Sequence, residues 1–72
     1  EQAMRYAIVI EQAEHNYSAY VPDVPGCVAT GATIAEVQRE MQAALAWHLE
    51  GLREAGLPIP EPSLVAYVEV AA

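Results

Sequence analysis

Tyr17 to Glu36 reads YSAYVPDVPGCVATGATIAE, and this stretch decides the fold. Tyr17 to Val21 has the aromatic and β-branched character of a strand. Pro22 and Pro25 each lack a backbone donor, and Gly26 admits angles that other residues avoid. Pro22-Asp23-Val24-Pro25-Gly26 is therefore a rigid loop, and Cys27 to Gly31 a short third strand folding back along the second. Thr33-Ile34-Ala35-Glu36 then fits the S/T-x-x-E capping box, in which two side chains satisfy free N–H groups at a helix start.

On the N-terminal side, Arg5 to Glu11 (RYAIVIE) is a strand, with Tyr6, Ile8 and Ile10 on one face and Arg5, Ala7, Val9 and Glu11 on the other. The polar stretch Gln12 to Asn16 closes a hairpin onto Tyr17 to Val21. On the C-terminal side, Ile34, Val37, Met41, Ala44, Leu45, His48, Leu49 and Leu52 recur at helical spacing. Glu36, Arg39, Glu50, Arg53 and Glu54 lie on or toward the opposite side. Gly56 is the left-handed C-terminal residue, and Pro58 and Pro60 prevent the helix from resuming. This helix spans about 22 residues, near 33 Å. The connector Leu57 to Ser63 is stiffened by proline, and Leu64 to Val70 forms a last strand with Leu64, Ala66, Val68 and Val70 on one face. The expected order is β-β-β-α-β, an α+β fold in which an antiparallel meander carries one helix on one face.

Seventy-two residues make a single domain with one small core, and a chain of this size buries only about 60% of the surface its unfolded form exposes. Cys27 is alone, so no intrachain disulfide helps, and His15 and His48 lack structural-zinc spacing with it. Self-association as a dimer or tetramer is the expected remedy. No metal or other cofactor is expected. An unpaired cysteine, no signal-peptide pattern and no long apolar run point to the cytoplasm. Met4 reads as a natural start, with residues 1–3 as an added remnant.

Ten acidic residues against three arginines give a net charge of −7. That sign repels phosphate backbones, so direct nucleic-acid binding is not expected. It suits a basic protein partner by electrostatic steering, or serves solubility alone; composition does not choose between these.

Asp23, between two prolines, has the position of a catalytic carboxylate, but a two-metal nuclease needs several converging acids. Glu11 and Glu69 are the other candidates, and their spacing does not demand convergence. Asp23 is better read as accepting hydrogen bonds from its own turn. His48 reads as a core histidine bonded to backbone or tyrosine, His15 as a solvated turn residue, and Cys27 as a small buried hydrophobe. Trp47, off the main stripe, either closes the core edge or anchors an interface. Tyr17 and Tyr20 fall on opposite faces of their strand, so only one joins the helix-covered core. The uncovered face would carry Val9, Val28 or Cys27, Val65 and Tyr67. Tyr20, Trp47, Val65 and Tyr67 form the candidate partner or oligomer interface. Pro22, Asp23, Pro25, Gly26, Thr33 and Glu36 form the structural motif.

The ordered set Y-S-A-Y-V-P-D-V-P-G-C (Tyr17 to Cys27), A-T-G-A-T (Ala29 to Thr33), H-L-E-G-L (His48 to Leu52) and G-L-P-I-P-E-P-S (Gly56 to Ser63) resembles the HicB-like antitoxins of type II toxin-antitoxin systems. The resemblance implies a partial, degenerate RNase H-like fold. It also implies a binding protein, not an enzyme, that neutralises a small basic HicA-like toxin, an mRNA-cleaving protein, by masking its active site. Many members carry a C-terminal DNA-binding segment; only Ala71 and Ala72 follow the last expected strand here, so none is expected in this chain. A truncated chain, a short stand-alone member and an orphan without a toxin all fit that ending. A homo-oligomeric interaction domain without a toxin is the alternative reading, and a metal-dependent nuclease the weakest.

Overall fold

The computed structural model describes residues 3–72. Three strands, β1 (Val9–Gln12), β2 (Tyr17–Tyr20) and β3 (Val28–Gly31), precede one helix, α1 (Ile34–Glu54). They form an antiparallel sheet in the order β1-β2-β3. The α+β class and the meander with one helix are thus as the sequence implies. The strands are shorter than their sequence signals. Arg5 to Ile8 has strand composition but no strand partner, because β2 ends at Tyr20, opposite Val9.

Register sorts the sheet into rows. Ile10, Ala19 and Ala29 align across the three strands on the helix side. Val9, Tyr20 and Val28 align on the far side, followed by the polar row Glu11, Ser18 and Thr30. The tyrosine question is thereby resolved: Tyr17 packs against the core and Tyr20 faces outward.

The core owes much of its substance to the proline loop. Val21, Val24 and Cys27 are buried with Ala19, Val37 and Met41, and Val24 and Val37 are 1% and 0% exposed. Burying a valine fully stabilises by about 1.5–3 kcal/mol. The loop folds by its own backbone bonds, with Val21 N–H donating to Cys27 O, Val24 N–H to Val21 O and Cys27 N–H to Val24 O. Gly26, at φ +86°, permits the turn. The Cys27 thiol donates to Met41 Sδ at 3.8 Å, and burial pushes the thiol above its ordinary pKa.

Both ends of α1 match the sequence signals. Glu36 N–H donates to Thr33 Oγ1 at 3.0 Å. The Glu36 carboxylate in turn accepts from Ala32 N–H at 3.0 Å, one residue before the position the capping box specifies. At the other end Gly56 has φ +71°, and the Leu57 and Gly56 N–H groups donate to Leu52 O and Arg53 O, closing a Schellman motif.

Helix length explains one departure. Twenty-one residues span about 32 Å, whereas a four-residue strand covers about 13 Å. The C-terminal half of α1 overhangs the sheet, so His48 is half-buried at the margin and not a core histidine.

The end of the chain is the larger departure. Leu64–Val70, expected as a fourth strand, is exposed and has no strand pairing among the described residues. A strand needs a neighbouring edge for its backbone groups, and after Ser63 this segment runs beside none. Val65 and Tyr67 therefore do not join the uncovered sheet face, and Cys27 lies in the core instead of on that face.

Sheet and helix meet most closely at Gly31, where an added Cβ would stand 2.7 Å from Val37 N and 3.0 Å from Val37 Cα. Gly31→Ala is expected to destabilise the fold by about 1–3 kcal/mol, since backbone must move. Gly51→Ala, with nothing within 4 Å of the new Cβ, should be neutral or stabilising by up to about 1 kcal/mol. Urea midpoints at one protein concentration check this pair; equal shifts would contradict the packing.

Candidate functional site

α1 presents one exposed ridge. Glu36, Glu40, Trp47, Glu50 and Glu54 recur at intervals that return to one side of a 3.6-residue helix, away from the buried Val37, Met41 and Leu49. Trp47 is 81% exposed, so it anchors no core edge. With His48, Glu50, Gly51, Leu52 and Glu54 it lines an open surface concavity of about 370 Å³. The only basic group tied to the ridge is Arg53, whose guanidinium lies 3.8 Å from the Glu50 carboxylate, both well exposed among the described residues. Such a pair contributes little to stability. The result is an indole set among carboxylates, a chemistry suited to a cationic protein surface.

The predicted interface residues do not form one patch. Tyr20, 42% exposed, lies in a row with Val9 and Val28 on the outer sheet face. Trp47 stands on the helix layer, and Val65 and Tyr67 on the extended tail. Sequence reading missed Glu40 as a ridge member, although its spacing from Glu36 and Trp47 was available. It also missed Val24, which lies in the loop read only as a turn and turns inward between Val21 and Cys27 at intervals of three.

Asp23 is not bonded within its own turn. Its carboxylate accepts the Ser63 N–H at 2.8 Å and the Ser63 hydroxyl at 2.6 Å, a link across forty positions of sequence. These bonds, the hydroxyl first, hold the Asp23 carboxyl below its ordinary pKa. Pro60 O accepts the Tyr6 hydroxyl nearby, and burial, with Glu61 adding to it, raises the Tyr6 pKa. Loop, Tyr6 and connector are thus fastened at one end of the sheet. Asp23 positions the tail, with Pro22, Pro25 and Gly26 shaping the loop around it. Thr33 and Glu36 act at the helix cap, as expected.

Glu11, Asp23 and Glu69 sit on separate elements, and among the described residues no three His, Cys, Asp or Glu side chains gather as a metal site. His15 is exposed in the β1–β2 turn, 3.3 Å from Glu14. No helix among the described residues is long and apolar enough to cross a membrane.

A short antiparallel meander, one capped helix and an acidic exposed ridge define a small α+β module. The chain belongs to the HicB-like antitoxins of bacterial toxin-antitoxin systems, whose family model matches residues 6–71. It is similar to a chain of the HicA3 and HicB3 toxin-antitoxin complex, with a TM-score of 0.71 and 33% identity over 83% of this chain and 70% of that one. It is 38% identical over 58 residues to a 14.9 kDa protein from the rep-hol intergenic region of Haemophilus phage HP1. That match covers 81% of this chain and 44% of the phage protein, so the chain spans less than half of that relative's length. A UPF0150 protein of Helicobacter pylori is 34% identical over 65 residues, 88% of this chain and 90% of its own length.

The Asp23–Ser63 link has a defined pH dependence. A carboxyl whose folded pKa lies below its unfolded value of about 3.9 stabilises fully above that value and loses its contribution as pH falls through the folded one. The Ser63 amide resonance should therefore stay constant from pH 7 to about pH 5 and then move with a midpoint below the ordinary carboxylate value. In Asp23→Ala it should sit at a shifted position and lose this titration. A midpoint at or above the ordinary carboxylate value would contradict the link.

Proposed function

We propose that this chain is an antitoxin that binds a small basic HicA-like toxin and masks its active site, acting by binding and not by catalysis. Family membership supports the antitoxin role, and the neighbour's complex supports a toxin as the kind of partner. The observation that carries the choice of surface is Trp47, 81% exposed among Glu40, Glu50 and Glu54. A large aromatic so exposed gains most when an interface covers it, and the carboxylates around it select a cationic partner. The net charge of −7 steers encounter in the same direction. A cytoplasmic setting fits a partner that cleaves mRNA.

The test is co-expression with a small basic HicA-like protein encoded next to this chain. Relief of growth arrest and co-purification are expected, with affinity falling as salt rises. Trp47→Ala should weaken binding by about 2 kcal/mol or more, roughly thirtyfold, with the fold intact. Glu50→Lys combined with Glu54→Lys should slow association and flatten the salt dependence. Unchanged affinity in both variants would move the interface elsewhere, and absence of any complex would overturn the proposal.

A further inference from the structure

Leu64, Val65, Tyr67, Val68 and Val70 are between 56% and 102% exposed on a segment with strand alternation and no pairing among the described residues. Its effect on size is measurable: the Cα radius of gyration is 13.8 Å, against about 11 Å for a compact chain of this length. Five large apolar side chains held in water, beside unpaired backbone groups, make a strand that lacks its sheet.

The sheet offers a matching vacancy. β1 (Val9–Gln12) is an edge strand, and Arg5 to Ile8 continues it in sequence without a partner, so a pairing strand could engage Arg5 to Gln12. That is eight positions for a seven-residue segment. α1 packs chiefly over β3 and β2 and leaves the β1 margin thinly covered. Beyond that margin lies an open groove of about 320 Å³, lined in part by Met4, Tyr6, Leu45, Ala46 and Leu49. A strand laid along β1 would place Leu64, Ala66, Val68 and Val70 over this groove, and Val65 and Tyr67 beside Val9 on the outer face.

The segment does not reach that edge in its own chain. Pro58, Pro60 and Pro62 stiffen the connector, and Ser63 is held at Asp23. The link fixes where the tail departs, and beyond it the segment is exposed and makes no strand pairing among the described residues. We propose that Leu64–Val70 is donated to the β1 edge of a second copy, which donates its own in return, giving a strand-exchanged dimer. Each strand would cover an edge and a groove and take its exposed apolar side chains out of water, where a stable interface needs about 1,200–2,000 Å² in all. The exchange is closed and two-fold, so it leaves no open edge at β1 to propagate.

Light scattering on the full chain at micromolar concentration tests this, with amide exchange across Leu64–Val70. A dimer with protected alternate amides in the segment is expected. Tyr67→Pro and Val68→Pro, made separately, each remove one of two neighbouring N–H groups that point to opposite sides. At least one of them should give a monomer whose helical circular dichroism is retained. Three results would overturn the exchange: a monomer with a protected segment, meaning pairing within the chain; a monomer with an unprotected one; or a dimer that survives both substitutions. Trp47→Ala should remain dimeric, which separates this interface from the proposed toxin surface.

Discussion

The burial of Val24 with Val37 and Met41 is the constraint on which the rest of the molecule depends. Four-residue strands supply little core: the helix-facing row across the sheet is Ile10, Ala19 and Ala29. Two alanines there, with Gly31 at the end of β3, let α1 come close but fill little volume. The loop from Val21 to Cys27 makes up the shortfall by turning three apolar residues inward. The prolines restrict the unfolded chain and so offset part of the conformational entropy lost in ordering the loop, while Gly26 permits the turn.

Two functional consequences follow from the placement of that loop. Seating Val37, Met41 and Leu49 fixes the rotation of α1, which turns Trp47 and its carboxylates outward. The same loop carries Asp23, whose bonds to Ser63 determine where the C-terminal segment leaves the body. One structural element thus orients the proposed partner surface and aims the proposed exchanged strand. Outer-face Tyr20, with Val9 and Val28, remains a separate apolar row, flanked by the polar row Glu11, Ser18 and Thr30.

Local signals in the sequence were strong where the physics is local. The capping box at Thr33 and Glu36, the Gly56 terminus and the helical stripe place α1 because each rests on contacts within a few residues. The hairpins were legible from alternation and the proline loop. What escaped depends on distant parts of the chain. Asp23 resembles many turn aspartates, and nothing nearby indicates that its acceptors meet Ser63. His48 sits in the middle of an apolar stripe, but its burial is decided by how short the strands are. Leu64–Val70 has the alternation of a strand, which specifies a conformation and not a partner. The four interface candidates were chosen by the strand face or helix flank expected of each; without the fourth strand the fold distributes them over three surfaces.

Native mass spectrometry of the chain mixed with a basic HicA-like toxin tests the account most directly, because it reads both proposed surfaces at once. A reciprocal strand exchange that leaves both Trp47 ridges free predicts a complex of two copies of this chain and two of the toxin, built on a dimer present before toxin is added. A complex of one chain with one toxin, or a toxin that splits the dimer on binding, would contradict it.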